Sequence, residues 1–96
     1  MSTGQCMRAE ASEIMGRWRP GSYDPPWTWD DEAADLDSRG ELADLTESVR
    51  EHGVREPVLL AGDGRVWDGH HRVIAAYRAQ RPVPYTIVAA DNTGTA

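Results

Sequence analysis

Hydrophobic positions divide the chain into a weakly patterned first third and a strongly patterned remainder. Leu42, Leu45 and Val49 recur at i, i+3 and i+7, the spacing of one helical stripe. Ser38-Arg39-Gly40-Glu41 just before them fits a capping box, with hydroxyl and carboxylate satisfying backbone donors reciprocally. Gly53 ends this helix, since glycine tolerates a left-handed cap, and His52 in the last turn suits the negative end of the helix dipole. Pro57-Val58-Leu59-Leu60-Ala61 predicts a short buried strand, with proline at its first position, where a missing donor is tolerated. Gly62-Asp63-Gly64 predicts a turn and Arg65-Val66-Trp67-Asp68 a returning strand, so the two strands form a hairpin. After Gly69 a helix is expected from about 70 to 80, with Val73, Ile74, Ala76 and Tyr77 as its apolar positions and Pro82 as its stop. A last strand spans 83–89, and residues 91–96 read as a flexible, fraying tail.

Residues 1–37 carry less pattern. Gly, Pro and Ser interrupt them in Arg19-Pro20-Gly21-Ser22 and Asp24-Pro25-Pro26. A short helix over about 9–18 would place Ile14, Met15 and Trp18 on one edge, weakened by Gly16. Trp27 and Trp29 are two apart, so an extended segment would point both one way. They either pack onto the domain or, with Trp18, form a partner-binding patch. The acidic run at 30–37 reads as a solvated face or a helix start. The expected architecture is therefore a small α+β domain. A helix, β-hairpin, helix and strand core over 38–90 follows an irregular, acidic, Trp-containing arm over 1–37.

Composition narrows the setting. With 96 residues there is room for one small domain. The one cysteine, Cys6, excludes a disulfide framework and a multi-cysteine metal site. No apolar stretch approaches the roughly 20 residues of a membrane span, and no signal peptide is visible. A cytoplasmic protein is expected, with no membrane partner. All ten basic residues are Arg, and Lys and Phe are absent, as GC-rich coding would favour. The net charge of -6 is uneven: residues 1–49 carry -7 and residues 50–81 carry +2. Bulk charge therefore opposes polyanion binding, while leaving a local Arg-bearing surface within 50–81. Duplex DNA binding through that surface ranks behind the readings below.

The chemistry concentrates in Asp68-Gly69-His70-His71-Arg72. Asp68 suits a helix cap, and Gly69 permits a tight turn and close approach of a ligand to backbone. The first-turn amides of a helix are unsatisfied and sit at the positive end of its dipole, where anions bind readily. Arg72 can add a bidentate fork to phosphate oxygens. His70 and His71 offer donors or an acid/base near neutral pH. Consecutive helical residues point about 100° apart, so at most one of the two faces a ligand. The bland alternative makes Asp68 only a cap and Arg72 only a surface ion pair. Two histidines without i, i+4 spacing do not form a zinc site, and no metal site is assigned.

On these residues, 42–88 resemble the N-terminal domain shared by ParB partition proteins, sulfiredoxins and related free-serine kinases. The segment from Leu42 through Gly53 is similar to the "L-x-x-L-x-x-S-I-x-x-x-G" helix of ParB-like domains, and Val54-Arg55-Glu56-Pro57-Val58 to the "G-h-x-x-P-h" approach to the first core strand. Gly69, Arg72 and Ala75 match the ParB pattern "G-E-R-R-x-R-A", while His70, His71 and Ile74 depart from it. Gly69, His71 and Arg72 match the sulfiredoxin "G-C-H-R", with His70 where the catalytic cysteine would stand. The "D-G-H-H-R" string looks closest to the serine kinases and to small proteins labelled ParB-like nucleases. The resemblance implies a phosphate or nucleotide site at Asp68, Gly69, His70, His71 and Arg72, with Glu56 beside it, for CTP, ATP or ADP with Mg²⁺. Asp31, Glu32 and Glu56 are the carboxylates that could stand in for the kinases' upstream Glu. A phage or mobile-element accessory protein, acting in a host cytoplasm, fits a minimal domain of this kind.

Three functions follow. The first is a ParB-like domain binding a nucleotide or a nucleic-acid phosphate at residues 69–72. The second is an interaction protein without chemistry, meeting a host protein through Trp18, Trp27 and Trp29, or forming a homo-oligomer. The third is a phosphoryl-transfer enzyme or nuclease with His70 or His71 as acid/base.

Overall fold

The computed structural model describes residues 7–21 and 27–88. Cys6, the predicted tail at 91–96 and Ala89 of the predicted last strand lie outside the described residues. Nine elements follow in order: β1 (Met7–Glu10), α1 (Ala11–Arg17), β2 (Arg19–Pro20), α2 (Trp29–Ser38), α3 (Ala43–His52), β3 (Val58–Ala61), β4 (Arg65–Asp68), α4 (His70–Ala79) and β5 (Pro82–Val88). The fold is α+β, as the pattern predicts. The irregular arm is not what the chain builds at 7–21 and 29–38. Those residues supply two strands and two helices.

Among the described residues the sheet has five strands in the order β1-β5-β3-β4-β2. The predicted hairpin is its middle: β3 and β4 pair antiparallel, with a register shift between Leu59 and Leu60. The chain then crosses through α4 and returns as β5, parallel to β3, with Leu59 opposite Thr86. β1 closes one side antiparallel to β5, with Met7 opposite Tyr85, and β2 closes the other parallel to β4. Neither outer strand shows in the sequence pattern. Each is too short to alternate, and each is held by a partner more than 40 residues away.

The helices pack through α4, which touches α1, α3, β3 and β5. Its buried face is Val73, Ile74, Ala75 and Ala76. The small alanines let α1 and α3 approach. Val73 and Ile74 are fully buried and each contributes about 1.5–3 kcal/mol by leaving water. The main core adds Ile14, Val49, Val58, Leu60, Val66 and Val83, and a smaller cluster of Leu36, Leu42 and Ile74 seats α2.

Two capping expectations change. Ser38 is the last residue of α2, its hydroxyl donating to the Asp35 carbonyl at 2.7 Å, so it cannot cap α3. α3 begins after Leu42 without a side-chain cap. The capping box sits instead at α2: Asp31 N donates to Thr28 Oγ1 at 3.1 Å, and Thr28 N donates to Asp31 Oδ2 at 3.0 Å. Asp30, Asp31 and Glu32 fill the first turn of α2, where the helix dipole favours negative charge. The acidic run is thus a helix start.

A candidate phosphate-binding corner

Only Gly69 separates β4 from α4. Its φ of 107° is left-handed, and it is buried. A Cβ at this position would lie 3.0 Å from both γ carbons of Val58 and 3.1 Å from Arg72 Nη2. Glycine therefore turns the strand into the helix and lets Arg72 fold back over the turn.

Asp68 does not cap α4. The capping position is Gly69, which has no side chain to offer, and the first turn contains no acidic residue. Asp68 Oδ2 accepts from Arg72 Nη2 at 3.3 Å instead. The amides at the start of α4 thus keep the anion-seeking character of an uncapped helix end.

The three polar side chains of the first turn diverge. His70 turns toward the β4–β2 side of the sheet, with Nε2 3.0 Å from Gly21 N and 3.0 Å from Val66 O. In one tautomer the ring accepts from the amide, and in the other it donates to the carbonyl. Burial pushes this imidazole below its ordinary value of 6.5, against an opposing pull from the Glu32 carboxylate. His71 turns the other way, 2.8 Å from Glu41 Oε1 in the loop between α2 and α3. Hydrogen bonding to His71 holds the Glu41 carboxyl below its ordinary range, outweighing its desolvation, and the Arg39 charge adds to the effect.

Arg72 faces α3. Its Nη1 is 3.5 Å from Glu56 Oε1, its Nη2 3.3 Å from Asp68, and its Nε is shielded without a hydrogen-bond partner. Both carboxylate contacts are long, and Glu56 is largely exposed. The guanidinium lines a cleft of about 240 Å³ with Leu45 and Ser48 of α3 and Val54, Arg55 and Glu56 of the following loop. Of the residues singled out from sequence, Arg72 and Glu56 line this cleft, with Asp68 and Gly69 next to Arg72. His70 and His71 do not. Ser48 and Arg55 were missed. The signal for them was their place on and just after the α3 stripe, on the side that faces the corner. A larger depression of about 650 Å³ between α1 and the end of α4 lies away from the corner. Arg78 on its wall is already bound to Asp37, at 2.8 and 2.9 Å.

Trp18, Trp27 and Trp29 pack onto the domain, while Trp67 of β4 is exposed. Trp18 Nε1 donates to the Ala61 carbonyl at 3.1 Å, and its ring lies 6.5 Å from that of Tyr85. Trp29 Nε1 donates to the Trp18 carbonyl at 2.8 Å, and Trp27 Nε1 to Glu32 Oε1 at 2.6 Å. The indole N–H groups of Trp18, Trp27 and Trp29 are each satisfied internally. Among the described residues no three His, Cys, Asp or Glu side chains converge as a metal ion would need. Nor is any helix there long and apolar enough to cross a membrane.

Neither protein-family models nor curated protein sequences match this chain. A solved structure does: the C-terminally truncated chromosome-partitioning protein ParB from Caulobacter crescentus, complexed with CTP-γ-S. It superposes with a TM-score of 0.61 over 94% of this chain, at 26% identity. The fold is ParB-like. The match takes in 47% of that ParB chain, so this chain spans about half its length. It also reaches well beyond residues 42–88, into the first third of the chain.

Proposed function

We propose that this ParB-like domain binds a nucleotide, with phosphates at the start of α4 and the remainder along the Arg72 cleft. One observation carries the reading. Arg72 joins an uncapped helix start to a cleft walled by α3, on a fold shared with a CTP-γ-S complex. Backbone amides supply uncharged donors, Arg72 a planar fork, and Gly69 the clearance for a phosphate to approach the chain. Arg55 on the same cleft adds a second cation. The weak hold of Asp68 and Glu56 on Arg72 lets phosphate oxygens displace them. CTP is the first candidate, because the structural neighbour holds its analogue. Mg²⁺ would enter with the phosphates, since among the described residues no carboxylate cluster is preformed to hold it.

Binding is favoured over catalysis. The histidines proposed as acid/base are turned away from the cleft, one toward Gly21 and Val66 and the other to Glu41. Isothermal titration of the whole chain with CTP, ATP and ADP, with and without Mg²⁺, tests the reading. Arg72→Gln should weaken the preferred nucleotide at least about tenfold, the value of a lost charge-assisted hydrogen bond. Wild-type protein that binds none of them at millimolar ligand would remove it.

A further inference from the structure

We propose that a second cleft, where β1, the end of α3 and the start of β5 meet, binds a small phosphorylated anion, as a phosphomonoester or as inorganic phosphate. The cleft measures about 200 Å³, and Arg8, His52 and Arg81 line it with Pro82 and Pro84. Three separate elements thus bring two guanidinium groups and an imidazole to one hollow. No carboxylate lines it among the described residues.

Among the described residues the hollow is free of carboxylates in a chain with sixteen acidic residues and a net charge of -6. Arg39, Arg50, Arg65, Arg72 and Arg78 all meet carboxylates. Arg8 and Arg81 make no ion pair among the described residues. Arg81 Nε donates to the Val49 carbonyl at 3.3 Å, which fixes the plane of the group and leaves its Nη atoms without an acceptor there. Gly53 makes room for it: a Cβ at that position would lie 3.3 Å from Arg81 Nη2. His52 is 3.6 Å from Glu51, too long to hold the ring, so it can turn into the hollow.

The charges decide the ligand. Two like charges in one hollow repel, and a dianion converts that repulsion into attraction from both sides. The negative end of the α3 dipole opposes an anion here, and the Arg81 bond to Val49 offsets it. The buried Pro84 gives the hollow one apolar wall. At about 200 Å³ the hollow has room for a phosphate group, and it lacks the uncapped helix start that adjoins the Arg72 cleft. Arginine favours phosphate because its fork matches two oxygens at once.

This site is separate from the Arg72 cleft and shares only Gly53 and Val54 with it, as opposite sides of one turn. Titration of the whole chain with inorganic phosphate at fixed ionic strength is the test. Arg8→Gln should weaken phosphate about tenfold or more with an unchanged melting temperature, and Arg81→Lys, which keeps the charge but loses the fork, should weaken it too. Arg8-dependent phosphate binding should persist in an Arg72→Gln background, and Arg8→Gln should leave nucleotide affinity as it was. No phosphate binding by wild type above a chloride control would overturn the proposal. So would wild-type affinity in both the Arg8 and Arg81 variants, or a loss that follows Arg72→Gln instead. Nucleotide binding can fail while Arg8-dependent phosphate binding persists, so the two readings fall independently.

Discussion

At the scale of single residues, Gly69 is constrained by its backbone angle and by its neighbours together. Its left-handed φ and the 3.0 Å approach of Val58 leave no room for a side chain. Gly69→Ala should cost about 2–4 kcal/mol in urea unfolding, the sum of a left-handed penalty and an overpacked contact. The position is intolerant for reasons of geometry before any ligand is considered. His70 offers a second test. Its folded-state imidazole is held below the ordinary value of 6.5, so the unfolded chain takes up its proton first as pH falls. The stability that neutral His70 contributes is therefore complete above pH 6.5 and is lost as pH drops from there toward the lowered folded value. Urea midpoints measured from pH 7.5 to 5 should fall more steeply for wild type than for His70→Gln. Parallel curves would contradict a buried, neutral ring.

At the scale of elements, the end of α4 shows how much a helix stop depends on one backbone angle. Gln80 has a φ of 58°, the one positive value at a non-glycine position among the described residues. Arg81 N donates to the Ala76 carbonyl at 3.0 Å across it, closing the helix end. Gln80→Gly should raise stability by up to about 1 kcal/mol, measured by chemical unfolding, because glycine takes this conformation without steric cost. The same helix was legible from its stripe and from Pro82. So were α3, the hairpin and β5, whose patterns answer to local burial. The corner at 68–72 was legible as a string, since strand, glycine and helix follow each other directly. Its geometry was less so: a capping role for Asp68 reads equally well from sequence, and only the tertiary approach of Arg72 reassigns that carboxylate. Ser38 misled in the same way. Gly40, at a φ of 71°, ends α2 rather than opening α3, so a good capping pattern stands at the wrong end of a helix. The true box at Thr28 and Asp31 has the same spacing, hidden inside a run of acids.

At the scale of the whole molecule, the acidic first third is bound in by distant partners. Asp37 at the end of α2 grips Arg78 of α4 with both oxygens, 41 residues away, and that hydrogen bonding holds its carboxyl below the ordinary range. Trp18 and Trp29 clamp the same region to the Ala61 carbonyl and to each other. Such ties leave no trace in local periodicity, and so a segment that looks like an arm proves to be part of the fold.

The strand order also says something about the time course of assembly. Of the five described strands β5 is made after the other four, and it lies inside the sheet, between β1 and β3. Until residues 82–88 emerge from the ribosome, β1 has no strand to pair with and β3 has one bare side. The first strand synthesised must wait for the last. Closing a loop of that length before any contact repays it slows folding, as in other topologies dominated by distant pairings. A nascent chain of this protein therefore carries its helices and hairpin before β5 completes the sheet.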